Sequence, residues 1–220
     1  ITSEDLEELG ADIILGNTYH LMLRPGAELV NQFGGLHGFS NWKRLILTDS
    51  GGYQVFSLEP DVDDDGVTFK STYDGSFHRL TPEIAVELQN ALGSDIQMAL
   101  DVCPPLPAKK AVVKLAADRT HKWALRARRH FLNLRNDQPG DRAQFGIVQG
   151  GLDLDLRKQS AEQIVGIGFD GYAIGGLSVG ETREEMLEPM YESTKHIPLE
   201  RPRYFMGLGD PAGLVEAISS

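Results

Sequence analysis

The chain has 220 residues, of which 41% are hydrophobic and 24% charged, and its formal net charge is −11. This composition is typical of a globular protein with a sizeable core, and no apolar run approaches the roughly 18 residues that cross a bilayer. The acidic N-terminal segment lacks the layout of a secretory signal, and Cys103 has no second cysteine to pair with. We therefore expect a cytoplasmic protein without membrane contact, and the charge argues against nucleic acid binding over the whole surface.

Short apolar runs alternate with amphipathic segments along the chain. The predicted strands are 11–15, 45–47, 96–100, 144–148, 171–174 and 204–206. The predicted helices are one capped by Thr2 or Ser3, one that begins at Thr81-Pro82 and stops at Gly93, and then 108–132, 154–165, 183–194 and one that begins at Asp210-Pro211. This alternation favours parallel strands with right-handed crossovers, and hence an α/β fold.

The spacing of the strand ends points to a barrel. Three of the five intervals between them are 26 to 32 residues, and a (β/α)8 barrel allots about 31 residues to each unit. A longer interval contains two β-prone runs around Asp74-Gly75, which predict a hairpin inserted at about 61–80. Six strands do not close an eight-stranded barrel. We therefore expect residues 1–220 to form a partial barrel, with at least one strand before Ile1 and one after Ser220.

The predicted strand ends are rich in polar residues and glycine. They read GNTYH, TDSGGYQ, LDVCPP, VQGG, IGGLSVGE and MGLGDP. Such residues also end strands simply because they make turns. In a barrel, however, the loops after the strands build the active site, so six such ends on one rim indicate a functional site.

Two aspartates on this rim, Asp49 and Asp101, each follow an apolar strand. Each could act as a general acid or base or accept N–H groups of a ligand, and each could instead cap a turn. Paired glycines allow a flat ligand to approach the backbone, Gln149 adds a planar amide, and Tyr53 could cover a ring. These features suit a planar heterocycle such as a purine better than a phosphate.

The sequence offers little for a metal ion or a thiol nucleophile. The six histidines share no ligand spacing, so no metal site is expected within these residues. Cys103 could be a nucleophile, but nothing near it in the sequence would lower its pKa, which favours a role in the pocket wall.

Five motifs make the chain recognisable from about Gly10 to its end. The segments GADIILGNTYHLMLRPG, LTDSGGYQVFSL, FGIVQGG, YAIGGLSVGE and YFMGLGDP resemble the queuine/archaeosine tRNA-ribosyltransferases, specifically bacterial tRNA-guanine transglycosylases. The resemblance implies an incomplete TIM barrel with pentosyltransferase activity in queuosine biosynthesis. It also implies that guanine at the anticodon wobble position of tRNA is replaced by the 7-deazaguanine preQ1, through a covalent RNA–enzyme intermediate.

The resemblance also implies roles for individual residues. Asp49 matches the general acid/base, and Asp101 matches the carboxylate that accepts the guanine N–H edge. The residues that match base-binding positions are Asp49, Ser50, Gly51, Gly52, Tyr53, Asp101, Cys103, Gln149, Gly175, Gly176, Leu177 and Met206. The residues that match an RNA-contacting loop are Gly207, Leu208, Gly209, Asp210, Pro211, Ala212 and Gly213.

Several expectations concern chain beyond the given sequence. The resemblance places the nucleophilic aspartate shortly after Ser220, and a structural zinc site held by Cys and His residues further on. It implies a homodimer at full length and an inactive fragment here. Cys103 and Val179 favour preQ1 over queuine as the incoming base. Asp210 departs from the family, which commonly has a neutral or basic residue there.

Two other functions stay open at this point. A different barrel enzyme could act on a small heterocycle or sugar with Asp49 and Asp101 as its acid/base pair. The chain could also be a non-catalytic partner subunit of a transglycosylase, although its intact Asp49, Asp101 and Gln149 argue against that.

Overall fold

The computed structural model describes residues 1–137 and 141–219. Six parallel strands follow one another in chain order across a single curved sheet, with helices around it. They are β1 (Ile13–Gly16), β2 (Leu45–Thr48), β6 (Ile96–Met98), β7 (Ala143–Val148), β8 (Gly171–Ile174) and β9 (Arg203–Phe205). All six predicted strands are present, shifted by at most two residues at either end. The predicted fold class, an incomplete (β/α) barrel, is confirmed.

A second, antiparallel sheet is inserted between β2 and β6. It contains β3 (Asp61–Val62), β4 (Val67–Lys70) and β5 (Phe77–Leu80). The predicted hairpin is β4 and β5, paired from Val67 with Leu80 to Lys70 with Phe77. The strand β3 was not predicted, because two residues are too short to show an alternating pattern.

Ten helices surround the sheets in the described ranges. They are α1 (Ser3–Glu8), α2 (Thr18–Leu23), α3 (Ala27–Gln32), α4 (Gly35–Ser40), α5 (Gly52–Phe56), α6 (Pro82–Ala91), α7 (Lys110–Asp137), α8 (Leu154–Ile167), α9 (Arg183–Lys195) and α10 (Pro211–Ser219). The six predicted helices are all present. The sequence analysis missed α2 to α5, which have only five or six residues each and show no clear periodicity. Within these two ranges, no helix has the length and apolar character required to span a bilayer.

The large sheet is mostly buried on both faces along its central strands β2, β6, β7 and β8, whereas the edge strands β1 and β9 are partly exposed. Its concave face carries Leu47, Met98, Phe145, Ile147 and Ala173. On the other face, Val148 and Ile174 pack with Ala161 and Ile164 of α8. Burial of both faces explains why the strands read as continuous apolar runs in the sequence, and it leaves the strand ends as the place for polar residues.

Candidate functional site

A cavity of about 330 Å³ lies at the carboxyl ends of the parallel strands. Its lining is Leu15, Asp49, Ser50, Gly51, Gly52, Tyr53, Gln54, Asp101, Cys103, Gly175, Gly176, Leu177, Ser178, Val179, Tyr204, Met206 and Gly207. Eleven of the twelve predicted base-binding residues are in this lining. The twelfth, Gln149, is buried and reaches the site through Asp101. The sequence analysis did not assign Leu15, Gln54, Ser178 or Tyr204 to the site.

Asp49 is held in place at the end of β2 by three hydrogen bonds. Its Oδ1 accepts from the backbone N–H of Thr18 at 2.8 Å and of Gly51 at 3.0 Å, and its Oδ2 accepts from Asn17 Nδ2 at 2.6 Å. Burial raises the pKa of Asp49, although these bonds oppose the shift. The two interpretations from the sequence are therefore compatible, because Asp49 both caps its turn and lines the cavity.

The segment after Asp49 is a tight turn followed by a helix. Gly51 has φ of +76°, and a Cβ there would lie 3.0 Å from the backbone nitrogen of Tyr19. Gly52 and Tyr53 were predicted in a loop and instead begin α5. The Tyr53 side chain is 61% exposed and stands at the mouth of the cavity. It is therefore placed to cover a flat ligand without itself being part of the core.

Asp101 and Gln149 form a buried pair. Gln149 Nε2 donates to Asp101 Oδ2 at 2.6 Å, and the backbone N–H of Gln149 donates to Ser160 Oγ at 3.0 Å. Burial raises the pKa of Asp101 to about 6, and the nearby Asp49 charge adds to the shift while the Gln149 bond opposes it. At neutral pH, Asp101 is mainly an ionised carboxylate that can accept N–H groups of a ligand.

Cys103 is a wall residue with a protonated thiol. Burial, together with the Asp101 charge, raises its pKa to about 12. A thiol with so high a pKa is a poor nucleophile at neutral pH. The geometry thus agrees with the wall position that the sequence favoured.

The loop after β8 forms the opposite side of the cavity. Gly176 has φ of +64°, and a Cβ there would overlap Gln149 Oε1. Further along, the Glu181 carboxylate accepts the backbone N–H groups of Ser178 and Val179. The sequence analysis did not single out Glu181, although it follows the glycines in the IGGLSVGE motif. The loop is therefore shaped from both ends by specific polar contacts.

Arg157 is a further residue of the site that was not predicted from the sequence. Its side chain is fully buried in α8 and donates to backbone carbonyls of both rim loops, at 2.7 Å to Gly151 and Gly175 and 2.9 Å to Gly176. In the sequence it stands among charged residues that read as an exposed helix face. No sequence signal distinguishes it from its neighbours.

The predicted RNA-contacting segment is only partly a loop. Gly207 lines the cavity, and Pro211, Ala212 and Gly213 belong to α10, in agreement with the helix predicted to begin at Asp210-Pro211, so the segment is a loop only up to Asp210. Leu208, Gly209 and Asp210 connect the two and lie outside the lining. Asp210 Oδ1 accepts from the Gly213 N–H at 3.0 Å and from Arg183 Nη2 at 2.7 Å, and both bonds lower its pKa. The charge that departs from the family is therefore paired with a neighbouring arginine.

We looked for clusters of potential metal ligands in the described part of the chain. Between residues 1 and 137 and between 141 and 219, no three His, Cys, Asp or Glu side chains cluster as metal ligands would. The expected structural zinc stays a prediction, and no chemistry at this site is derived from it.

Comparison with known proteins places this geometry in a family. The family model described as queuine tRNA-ribosyltransferase matches residues 1–220. Proteins named queuine tRNA-ribosyltransferase are similar to the chain at 55% identity in Thermotoga neapolitana, 50% in Thermoanaerobacter pseudethanolicus and 51% in Herpetosiphon aurantiacus. These matches cover 99%, 99% and 98% of this chain and 58%, 57% and 54% of the relatives. The chain thus spans a little over half the length of the relatives it matches, and it belongs to the queuine tRNA-ribosyltransferase family.

Proposed function

We propose that the protein containing this chain replaces guanine at the anticodon wobble position of tRNA with preQ1, as a transglycosylase of queuosine biosynthesis. The observation that carries the proposal is the pair of Asp101 and Gln149 at a glycine-lined cavity whose rim also holds Asp49. A carboxylate, an amide and free backbone N–H groups around a flat space match the edge of a guanine.

The base would be recognised along its polar edge. Ionised Asp101 accepts the N–H groups of guanine, and Gln149 and the Gly176 N–H face its exocyclic oxygen. Tyr53 covers one face of the ring from the cavity mouth. Met206 forms the wall opposite, and Leu177 lies where the side arm of preQ1 would extend.

Asp49 is proposed to handle the protons of the exchange. Asp49 gives a proton to the departing guanine, and its carboxylate then accepts the proton of the incoming base; burial raises the pKa of Asp49 toward the range that suits both steps. The nucleophile that attacks the ribose carbon is assigned to a second carboxylate outside residues 1–220. Retaining glycosidases likewise use one carboxylate as the nucleophile and a second as the general acid/base.

The proposed macromolecular partner is tRNA. The target base has to leave its stack to enter the cavity, which costs a few kcal/mol. Residues 207–213, which begin at the cavity wall, are the proposed contact with the RNA. The full-length protein is further proposed to be a cytoplasmic homodimer with one structural zinc outside the residues described.

Incorporation of labelled guanine into tRNA by the full-length protein tests the proposal. Wild type should exchange guanine, and Asp49→Asn should abolish exchange because Asn cannot donate and accept the proton in turn. Asp12→Asn is the control, because Asp12 is an exposed aspartate that pairs with Arg44 outside the cavity lining.

Two outcomes would contradict the proposal. Near-normal exchange by Asp49→Asn would reject the role of Asp49. Binding of guanine by the wild type with no exchange into any tRNA would favour the non-catalytic partner subunit. The chain of residues 1–220 alone is expected to show no exchange.

A further inference from the structure

A buried arginine lies directly behind the cavity wall. Arg157 has no solvent exposure and donates four hydrogen bonds, all to backbone carbonyls: Gly151 and Val148 in or after β7, and Gly175 and Gly176 after β8. In residues 1–137 and 141–219, no carboxylate forms a hydrogen bond or ion pair with it. All of its hydrogen bonds therefore hold main-chain segments in place.

The direction of the Gly175 and Gly176 carbonyls fixes the direction of the N–H groups in the same peptides, which belong to Gly176 and Leu177. A trans peptide is planar, and its C=O and N–H point to opposite sides. Because both carbonyls turn toward Arg157, the N–H groups of Gly176 and Leu177 turn away from it and toward the cavity, which both residues line.

The loop needs such a support because its own conformation is unusual. Gly175 and Gly176 have no side chains to pack, and Gly176 is in the left-handed region at φ of +64°. Ser160, three residues after Arg157 on α8, accepts the backbone N–H of Gln149. One face of α8 therefore holds both the backbone of Gln149 and the peptides of Gly175 and Gly176.

We infer that Arg157 is a positioning residue that aligns the Gly176 and Leu177 N–H groups toward an acceptor atom of the bound base, and so contributes to selection of a base with an exocyclic oxygen. This inference rests on the proposed function, since guanine is the base assumed to bind. Arg157 itself lies outside the cavity lining, and its guanidinium is surrounded by the four carbonyls to which it donates.

The test compares guanine with 6-thioguanine, which differs only by a sulfur, a weak acceptor, in place of the oxygen. Affinities of the full-length protein for both bases are measured by calorimetry. Arg157→Lys retains the charge but loses the planar fork, and Arg157→Gln removes the charge as well. Arg128→Lys is the matched control, because Arg128 is also buried but pairs with Asp170 at the other end of the sheet.

Wild type should prefer guanine by about tenfold or more, as expected where a site hydrogen-bonds the distinguishing group. In the Arg157 variants this preference should fall to about twofold, whereas Arg128→Lys should retain it. A purely structural role would weaken both bases equally and leave the ratio unchanged.

Three results would overturn the inference. One is an unchanged ratio of the affinities for guanine and 6-thioguanine in an Arg157 variant whose circular dichroism spectrum matches that of the wild type. Another is an equal loss of preference in Arg128→Lys, which would indicate general loosening. The third is a wild type that binds neither base, which refutes the proposed function itself and removes the basis for this inference.

Discussion

Gln149 Nε2 donates to Asp101 Oδ2 at 2.6 Å, so a buried amide from the end of β7 orients a carboxylate from the end of β6. Asp101 lines the cavity, and the buried Gln149 lies directly beside it. The carboxylate is thus held in a fixed orientation before any ligand arrives. Such preorganisation reduces the entropy lost when a base binds.

The first prediction is that guanine binding strengthens as the pH rises through about 6. Burial raises the pKa of Asp101 to about 6, and only the ionised form accepts both N–H groups of the base. Below that pH, the dissociation constant should increase by about tenfold per unit. Calorimetric titrations between pH 5 and 8 measure it. Asp101→Asn should bind guanine weakly at every pH. If Asp101 causes the pH dependence, Asp49→Asn should still show the change in guanine affinity near pH 6.

The second prediction concerns folding stability. The pKa of Asp101 is raised from 3.8 to about 6, so the folded state holds its proton more tightly than the unfolded chain. Its contribution is therefore most favourable below about pH 4 and declines as the pH rises to about 6, by at most on the order of 3 kcal/mol. The free energy of unfolding of Asp101→Asn, from urea titrations at pH 4 to 7, should lack this decline. If the free energies of unfolding of wild type and Asp101→Asn changed with pH in parallel, Asp101 would not reduce the stability of the folded state as the pH rises.

The parts of the fold that the sequence predicted are those set by local pattern. The central strands were recognisable because both of their faces are buried; Ile147 and Val148, for example, pack in clusters on opposite sides of the sheet. Helix α6 was recognisable because Thr81 caps it by accepting the Ile84 N–H at 3.2 Å and Pro82 opens it.

The parts of the fold and of the site that the sequence did not predict depend on contacts between segments that are distant in the sequence. Asn17 and Thr18 donate hydrogen bonds to Asp49 from the end of the neighbouring strand. These contacts join residues that are far apart in the sequence, so no local sequence pattern predicts them. Arg157 reads as an exposed helix residue, and only its position against the β7 and β8 loops makes it buried. The motifs predicted most of the cavity lining because most lining residues follow a strand, whereas Leu15 and Tyr204 lie within β1 and β9 and were missed.

The third prediction is that Tyr53 contributes to base affinity without stabilising the fold. The side chain is 61% exposed at the cavity mouth, so little apolar surface is buried in the absence of a ligand. Tyr53→Ala should weaken guanine binding by about fivefold to a hundredfold, the range for loss of one aromatic–base stack, and Tyr53→Phe should be near wild type. Melting temperatures should not change. Tyr191→Ala, an exposed tyrosine on α9 outside the cavity lining, is the control; equal losses in both variants would rule out a stacking role for Tyr53.

The last prediction compares alanine substitutions at Gly176, in the β8 loop, and at Gly166, in α8. Gly176→Ala should destabilise the protein by about 1–3 kcal/mol, because φ is +64° and the added Cβ overlaps Gln149 Oε1. The displaced amide can no longer hold Asp101 in its orientation, so guanine affinity should fall by at least about tenfold, as for loss of a hydrogen bond to a charged group.

Gly166→Ala is the matched control. Gly166 is exposed within α8, has no left-handed φ and would have no atom within 4 Å of an added Cβ. Alanine there should stabilise the protein by up to about 1 kcal/mol through helix propensity and leave guanine affinity unchanged. Urea denaturation and calorimetric titration of the two variants measure both effects. If Gly176→Ala binds guanine as tightly as Gly166→Ala does, then the contact between the β8 loop and Gln149 does not shape the base site.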